Sequence, residues 1–331
     1  MSDNELLLEV EDLHVEFRTS DGVANVLNGV GYSVHAGETL AVLGESGSGK
    51  SVTAQTVMGI LDVPPGVITA GAVRWRGEDL LTASEDRRRE VRGSEIAMIF
   101  QDALSALNPV FTVGFQIEEQ LRVRLGMSKK DARRRAIELL DIVRIPAAER
   151  RIKDYPHQFS GGMRQRAMIA MSLALDPDLL IADEPTTALD VTVQAQIMDL
   201  LHEIQAERKM GLVLITHDLG VVAEVADRIA VMYAGRIVEQ ADAVELFRAP
   251  AHPYTAALMD SLPRLDLKGQ TLETIKGLPP SLLDIPPGCP FHPRCKRAEA
   301  KCSEEVPPQH AIGFGRTSAC HFAEEVVSSR A

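Results

Sequence analysis

No cysteine occurs in the first 288 residues of this 331-residue chain. Long apolar runs are missing too. The longest, such as LLIA and IAVMYAG, fall far short of the roughly 18 to 20 residues that a membrane helix needs. The N-terminus MSDNELLLEVEDLHVEF has acids where a signal peptide carries bases, and no cleavage-site pattern follows. Together these absences predict a chain that stays in the cytoplasm, where thiols remain reduced. No sustained heptad run is present, so a long coiled coil is not expected. The net charge of -12, from 35 basic and 47 acidic residues, argues against a nucleic-acid partner. What remains is an ordinary globular composition, 45% hydrophobic and 25% charged. The length suits one large domain or two ordinary ones.

The stretch ETLAVLGESGSGKSVTAQTVMGIL reads as a short apolar strand over Thr39 to Leu43, a glycine-rich turn and then a helix. Gly44, Glu45, Ser46, Gly47, Ser48, Gly49, Lys50 and Ser51, with Val52 following, match the pattern G-x-x-x-x-G-K-[ST] without a mismatch. The residue types suit a polyphosphate. Glycines let the backbone wrap closely so that amide N–H groups point inward, and the helix start turns its positive end toward the same anion. Lys50 would reach the β- and γ-phosphates, and the Ser51 hydroxyl would sit on Mg²⁺.

A second apolar strand, PDLLIADEP, is uninterrupted from Leu179 to Ala182, as in a parallel strand buried on both faces. It delivers Asp183 and Glu184 at its C-terminal end, where doubly wound sheets bind ligands. Asp183 suits the Mg²⁺ shell and Glu184 can polarise an attacking water. An Asp-Glu pair alone is more often a solvated turn, and its weight here comes from the phosphate loop. Between the two lies HQFSGGMRQRAMIAMSLALDPDLL, where Ser160, Gly161 and Gly162 open an amphipathic helix. In isolation this is a serine-capped helix, or a helix start able to hold an anion.

In that order the motifs resemble the ATP-binding subunits of ABC transporters, whose signature loop is usually Leu-Ser-Gly-Gly-Gln. This chain carries Phe159 and Met163 at the outer positions and keeps the Ser-Gly-Gly centre. The resemblance implies an α/β fold: a P-loop NTPase (RecA-like) core, an antiparallel β subdomain, an inserted helical subdomain over about residues 102–165, and a loop-rich C-terminal extension. It makes residues 1–248 the nucleotide-binding domain. It assigns Gln101 of MIFQD to the loop that touches Mg²⁺ or water and faces the membrane subunits. Ala188-Leu189-Asp190 falls on the loop that crosses the dimer interface, and His217 of VLITHD on the switch histidine at the γ-phosphate. The family stacks adenine on an aromatic residue before the phosphate loop, with Phe17 the better candidate and Tyr32 the second; RTSDGVA, directly after Phe17, extends the hairpin and lengthens the spacing from Phe17 to the loop. The basic run MSKKDARRRAIELLDIVR reads as a solvated helix face, and DALSALNPVFTVGFQIEEQL resembles the importers for oligopeptides, dipeptides and nickel.

From residue 249 to the end the chain turns proline-rich, and its cysteines follow a spacing of C-x5-C-x6-C-x17-C over Cys289, Cys295, Cys302 and Cys320. A reduced compartment disfavours disulfides. Structural zinc usually pairs its ligands across two to four residues, but clusters also often use tighter spacing, so spacing alone leaves the metal open between zinc and iron–sulfur. The resemblance to peptide-importer ATPases implies a [4Fe–4S] site on these four cysteines; nothing in the sequence points to redox catalysis, and locking the loop-rich tail is the more economical role. The resemblance also implies ATP hydrolysis at a dimer interface with a second ATPase subunit, with di- or oligopeptides as the transported substrates. The implied partners are two transmembrane permease subunits and an extracytoplasmic substrate-binding protein, with this chain peripheral at the cytoplasmic face of the membrane. Two alternatives stay open: the same role for nickel or another small solute, and a soluble ABC ATPase outside transport. The second usually carries a coiled-coil insertion or a second cassette, and this chain has one cassette and no heptads.

Overall fold

The structure, a computed structural model, describes residues 5–187, 189–261, 275–313 and 315–329. The chain forms two compact units, Met1–Leu7, His35–Glu38 and Thr82–Ile215 in one, and Leu8–Val34, Thr39–Leu81 and Thr216–Ala331 in the other. The extension beyond residue 248 thus belongs to the same unit as the phosphate loop.

That second unit holds an antiparallel sheet of four strands in the order Gly22–His35, Leu6–Thr19, Gly66–Trp75, Glu78–Asp79. The expected long hairpin is its first two strands. Period-two burial marks the inner face, with Val26, Val30, Tyr32 and Val34 all buried. The first strand changes parity partway, from Leu8 and Val10 to Leu13 and Val15, and all four are buried. The change is possible because the register with Gly66–Trp75 shifts between Glu11 and His14 and again at Val15. A one-residue slip would otherwise turn Leu13 and Val15 to solvent.

The same unit carries the phosphate-loop strand Thr39–Leu43, parallel to Arg228–Tyr233. Next come the antiparallel strand Arg236–Asp242 and the short pair Thr317–Ser318 and His310–Ala311. All five residues of Thr39–Leu43 are buried, as a parallel strand covered on both faces requires.

Buried polar contacts fasten the extension to this sheet. Glu239 is fully buried; its carboxylate accepts the Ala251 and His252 amides at 2.8 and 2.9 Å and pairs with Arg316 at 3.3 Å. Burial pushes the Glu239 carboxyl up, and these donors pull it back. Losing one partner of such a buried pair typically costs about 3–5 kcal/mol. Burial likewise holds His252 down to about 3, so its neutral ring accepts the Tyr254 amide at Nδ1, 3.0 Å away. Tyr233, Tyr254 and Phe291 pack ring against ring, with centroids 4.6 to 5.3 Å apart.

The first unit is built on three parallel strands, Ile96–Ile99, Leu179–Asp183 and Gly211–Thr216, paired in that order and buried along their lengths. Its helices include Val113–Leu125, Lys129–Ile142, Gly161–Ser172 and Val191–Arg208, which start on side-chain caps from Thr112, Ser128, Ser160 and Asp190. Such a cap satisfies a helix-start amide and contributes about 1 kcal/mol. Ala132, Ala136, Leu139 and Leu140 bury the apolar face of the basic helix. Its arginines turn outward to acids, Arg133 to Glu118 at 3.5 Å and Arg135 to Asp176 at 3.1 Å. The basic run is therefore an ion-paired helix surface. Among the described residues no helix is long and apolar enough to cross a membrane.

Candidate functional site

The phosphate-loop strand ends at Leu43 and the chain wraps through Gly44 to Gly49 into the helix Lys50–Val57. That helix starts on Gly49 with no side-chain cap and no acid in its first turn. Its first amides and the positive end of its dipole are thus left to an anion. The wrap is tight: a Cβ on Gly44 would lie 2.4 Å from the Met232 carbonyl oxygen and 2.7 Å from Ser48 Oγ. Lys50 is buried, and its ammonium donates to the Gly44 and Glu45 carbonyls at 2.8 and 3.0 Å. Ser48 Oγ is buried with no hydrogen-bond partner among the described residues, an atom that a phosphate oxygen would satisfy. Ser46 and Gly47 are exposed at the loop tip, while Ser51 and Val52 are half-buried in the first helical turn.

Two residues of the extension that the motif reading did not single out also hold this loop. The Arg294 guanidinium forms a fork with the Glu45 carboxylate at 2.7 and 3.0 Å, and the Tyr254 hydroxyl accepts the Glu45 amide at 3.0 Å. No contiguous pattern announces them. The nearest hint is a basic residue beside Cys295 in HPRC.

In the other unit, Asp183 is buried at the end of its strand and Glu184 follows with φ 45. A left-handed glutamate of this kind costs on the order of 1–3 kcal/mol. It is held by its amide, which donates to the Ile215 carbonyl at 2.9 Å. Its Oε2 accepts two donors, Gln101 Nε2 at 3.0 Å and Thr187 Oγ1 at 2.9 Å. Gln101 and Glu184 are thus brought together. Ser160 acts as the helix cap anticipated from sequence, its hydroxyl accepting the Met163 amide at 3.3 Å, and Gly161 and Gly162 form the first turn. Asp190 caps the next helix by accepting the Val193 amide at 2.9 Å. Ala188 lies outside the described residues.

His217 is exposed directly after the strand Gly211–Thr216, where Asp218 caps the following helix by accepting the Gly220 amide at 2.9 Å. Phe17 is half-buried near the end of its strand, opposite Gly66. Tyr32, the second stacking candidate, is a core side chain whose hydroxyl burial pushes well above its usual range.

The four cysteines line one cavity, together with His252, Phe291, Phe322 and Val326. None is in a disulfide. Gly288 lets the first of them pack tightly: at its φ of 68, a Cβ would stand 2.4 Å from the Cys302 carbonyl oxygen. The Cys289 amide then donates to that same oxygen at 2.8 Å. Burial and the neighbouring thiols push Cys289 and Cys320 up to about 11, and burial raises Cys295 as well. Among the described residues no three His, Cys, Asp or Glu side chains group closely enough to hold a metal ion. The [4Fe–4S] expectation therefore rests on the shared thiol-lined cavity, not on an assembled ion site.

A glycine-rich turn between a buried parallel strand and an uncapped helix defines a P-loop nucleotide-binding protein. The family described as ABC transporter matches residues 27–187, and the one described as oligopeptide/dipeptide transporter, C-terminal region, matches residues 238–302. The chain is 49% identical to the dipeptide transport ATP-binding protein DppD of Bacillus subtilis, over 97% of this chain and 96% of that one. It is 49% identical to the oligopeptide transport ATP-binding protein OppD of Salmonella typhimurium, over 95% and 93%. Among solved structures, the dimeric bacterial ABC transporter cassette MJ0796 superposes with a TM-score of 0.64 at 29% identity, covering 72% of this chain and 99% of that one. CbiO1 of Clostridium perfringens, part of the ABC transporter complex cbiONQ, does so at 0.62 and 30%, covering 73% and 91%. The chain belongs to the ATP-binding proteins of ABC transporters, and it is an ABC-type ATPase.

Proposed function

We propose that this chain is the ATP-hydrolysing subunit of an importer for di- and oligopeptides. The observation that carries the substrate class is the second family match. Residues 238–302, beyond the matched cassette, match the C-terminal region described for oligopeptide and dipeptide transporters, and the similarity to DppD and OppD runs through both. Deleting the gene in its host is expected to abolish uptake of labelled di- and tripeptides, with restoration by the intact gene. Normal peptide uptake alongside lost nickel uptake would overturn the substrate class.

Family membership and local geometry support the following site roles. The backbone from Gly44 to Ser51 with Val52 holds the ATP phosphates, and Lys50 neutralises them. Ser51, Gln101 and Asp183 hold Mg²⁺, which when bound screens the phosphate charge. Glu184 draws a proton from the attacking water, His217 meets the γ-phosphate and Phe17 stacks on adenine. Ser160, Gly161, Gly162 and Asp190 serve the nucleotide of the opposite subunit, in a dimer with a second ATPase; MJ0796 has been seen as a dimer in a post-hydrolysis state with ADP and phosphate. Residues 1–248 form the nucleotide-binding domain and 249–331 the extension.

Two transmembrane permeases are the partners, fed by an extracytoplasmic binding protein, with this chain peripheral at the cytoplasmic face. An apolar patch supports permease docking on the helical unit: Phe111 and Phe115 stack at 4.8 Å, and both are exposed, as are Phe100 and Val110. Large aromatic side chains left in solvent commonly mark an interface.

Cys289, Cys295, Cys302 and Cys320 are the residues that would hold a [4Fe–4S] cluster, which when bound would cross-link the loops of the extension. Four thiols on one cavity supply the ligand set such a cluster takes, and their raised thiols become ligating thiolates only beside a cation. The full chain purified without oxygen is expected to be brown and to yield about four iron and four sulfide. A colourless protein holding one zinc would overturn this assignment.

A further inference from the structure

We infer that Arg294 is a positioning residue for nucleotide binding: reaching from the extension, it neutralises and holds Glu45, so that the phosphate loop does not present a bare carboxylate to incoming phosphates. The inference rests on reading Gly44 to Ser51 as the phosphate loop.

Glu45 is the second residue of the loop and an odd choice for an anion site, because its charge opposes the ligand's. The structure shows how that charge is managed. The Arg294 side chain is 7% exposed and the Glu45 side chain 25%. The planar fork meets both carboxylate oxygens, at 2.7 and 3.0 Å, a geometry lysine cannot reproduce. The guanidinium is itself fixed from three sides. Nη1 donates to the Tyr233 hydroxyl at 3.3 Å, Nε donates to the Lys276 carbonyl at 3.2 Å, and the group sits 5.8 Å over the Tyr233 ring. Burial works against the charge of Arg294, but its bonds to Glu45 and Tyr233 outweigh that and keep it firmly cationic.

Every polar part of Glu45 is engaged. The carboxylate meets Arg294, the amide donates to Tyr254, and the carbonyl accepts from Lys50. Arg294 and Tyr254 both come from the extension. Arg294 ends the short turn His292–Arg294, between Cys289 and Cys295. Phe291, one residue before that turn, packs on Tyr233 and Tyr254 at 5.2 and 5.3 Å. The segment that carries two of the four thiols is therefore the segment that sets the charge and place of Glu45. Disturbing it would return a negative charge to the rim of the phosphate site, where low-dielectric walls make that charge felt.

The test is calorimetric titration of the full-length chain with ATP and Mg²⁺. Arg294→Ala is expected to weaken binding about tenfold, within the usual range of coupling between sites. Adding Glu45→Gln to Arg294→Ala should recover most of that loss, because the bare charge is gone. Glu45→Asp, which leaves the extension untouched, keeps the charge but shortens it out of the fork, and should bind ATP more weakly than Glu45→Gln. Binding by Arg294→Ala within about twofold of the unaltered chain overturns the inference, as does a double variant no better than Arg294→Ala. Failure of the unaltered chain to bind ATP would instead overturn the phosphate-loop reading itself.

Discussion

Glu184→Gln is expected to bind ATP with unchanged affinity and to hydrolyse it about 10²- to 10⁴-fold more slowly, the usual contribution of a positioned general base. Glu184 stands one residue beyond the buried Asp183, held at φ 45 by the hydrogen bond its amide N–H donates to the Ile215 carbonyl. Glutamine keeps the backbone, the length and an oxygen. Because Gln101 and Thr187 donate to the same carboxylate oxygen, the amide oxygen can accept both bonds in its place. The local structure therefore survives and the negative charge is lost, which separates catalysis from folding. If, as proposed, the chain works in a dimer with a second ATPase that reopens on hydrolysis, the variant should also accumulate as an ATP-bound closed dimer. Single-turnover hydrolysis is the measurement, with the partner's site disabled. A normal rate at this subunit's own site would show that Glu184 does not activate water.

What could be read in the sequence was contiguous. The strand, glycine turn and helix of the phosphate loop lie within residues 39–57, so apolar run, glycines and lysine appear side by side and the structure folds them as expected. The strand ahead of Asp183 and the one ahead of His217 were visible for the same reason. Ser160 was legible in two ways, as a cap and as a phosphate contact, and the structure supplies the cap. The stacking candidates could not be ranked by composition; burial of Tyr32 in the core separates them. What stayed hidden was set by distance along the chain. Arg294 and Glu45 are 249 residues apart, and no local period relates a loop glutamate to an arginine beside a cysteine. Glu239 and Arg316 escaped for the same reason, because a buried ion pair leaves no trace in either residue's neighbourhood.

Lys50→Ala is expected to abolish ATP-driven peptide uptake in vesicles reconstituted with the whole transporter. The lysine has two jobs in one place. In the proposed role its ammonium would offset β- and γ-phosphate charge, and it ties the loop together by donating to the Gly44 and Glu45 carbonyls. Alanine removes both: the Gly44 carbonyl loses its ammonium donor, while the Glu45 carbonyl keeps the Ser48 amide at 3.2 Å. An unmet buried polar group costs on the order of 1–3 kcal/mol, so a modestly lower melting temperature should accompany the functional loss. The two effects differ in size and can be measured apart. If only the brace mattered, stabilising the fold by lowering the temperature would restore uptake. If the cation matters, uptake stays absent in protein that melts cooperatively a few degrees early. Arginine at position 50 sharpens the comparison, since it keeps the charge but carries a bulkier head into a site where Lys50 is already 95% buried by its 5% exposure. It too should fail to drive uptake. Uptake unchanged by Lys50→Ala would mean that the phosphates are neutralised by some other group and that this loop is not the energy-coupling site.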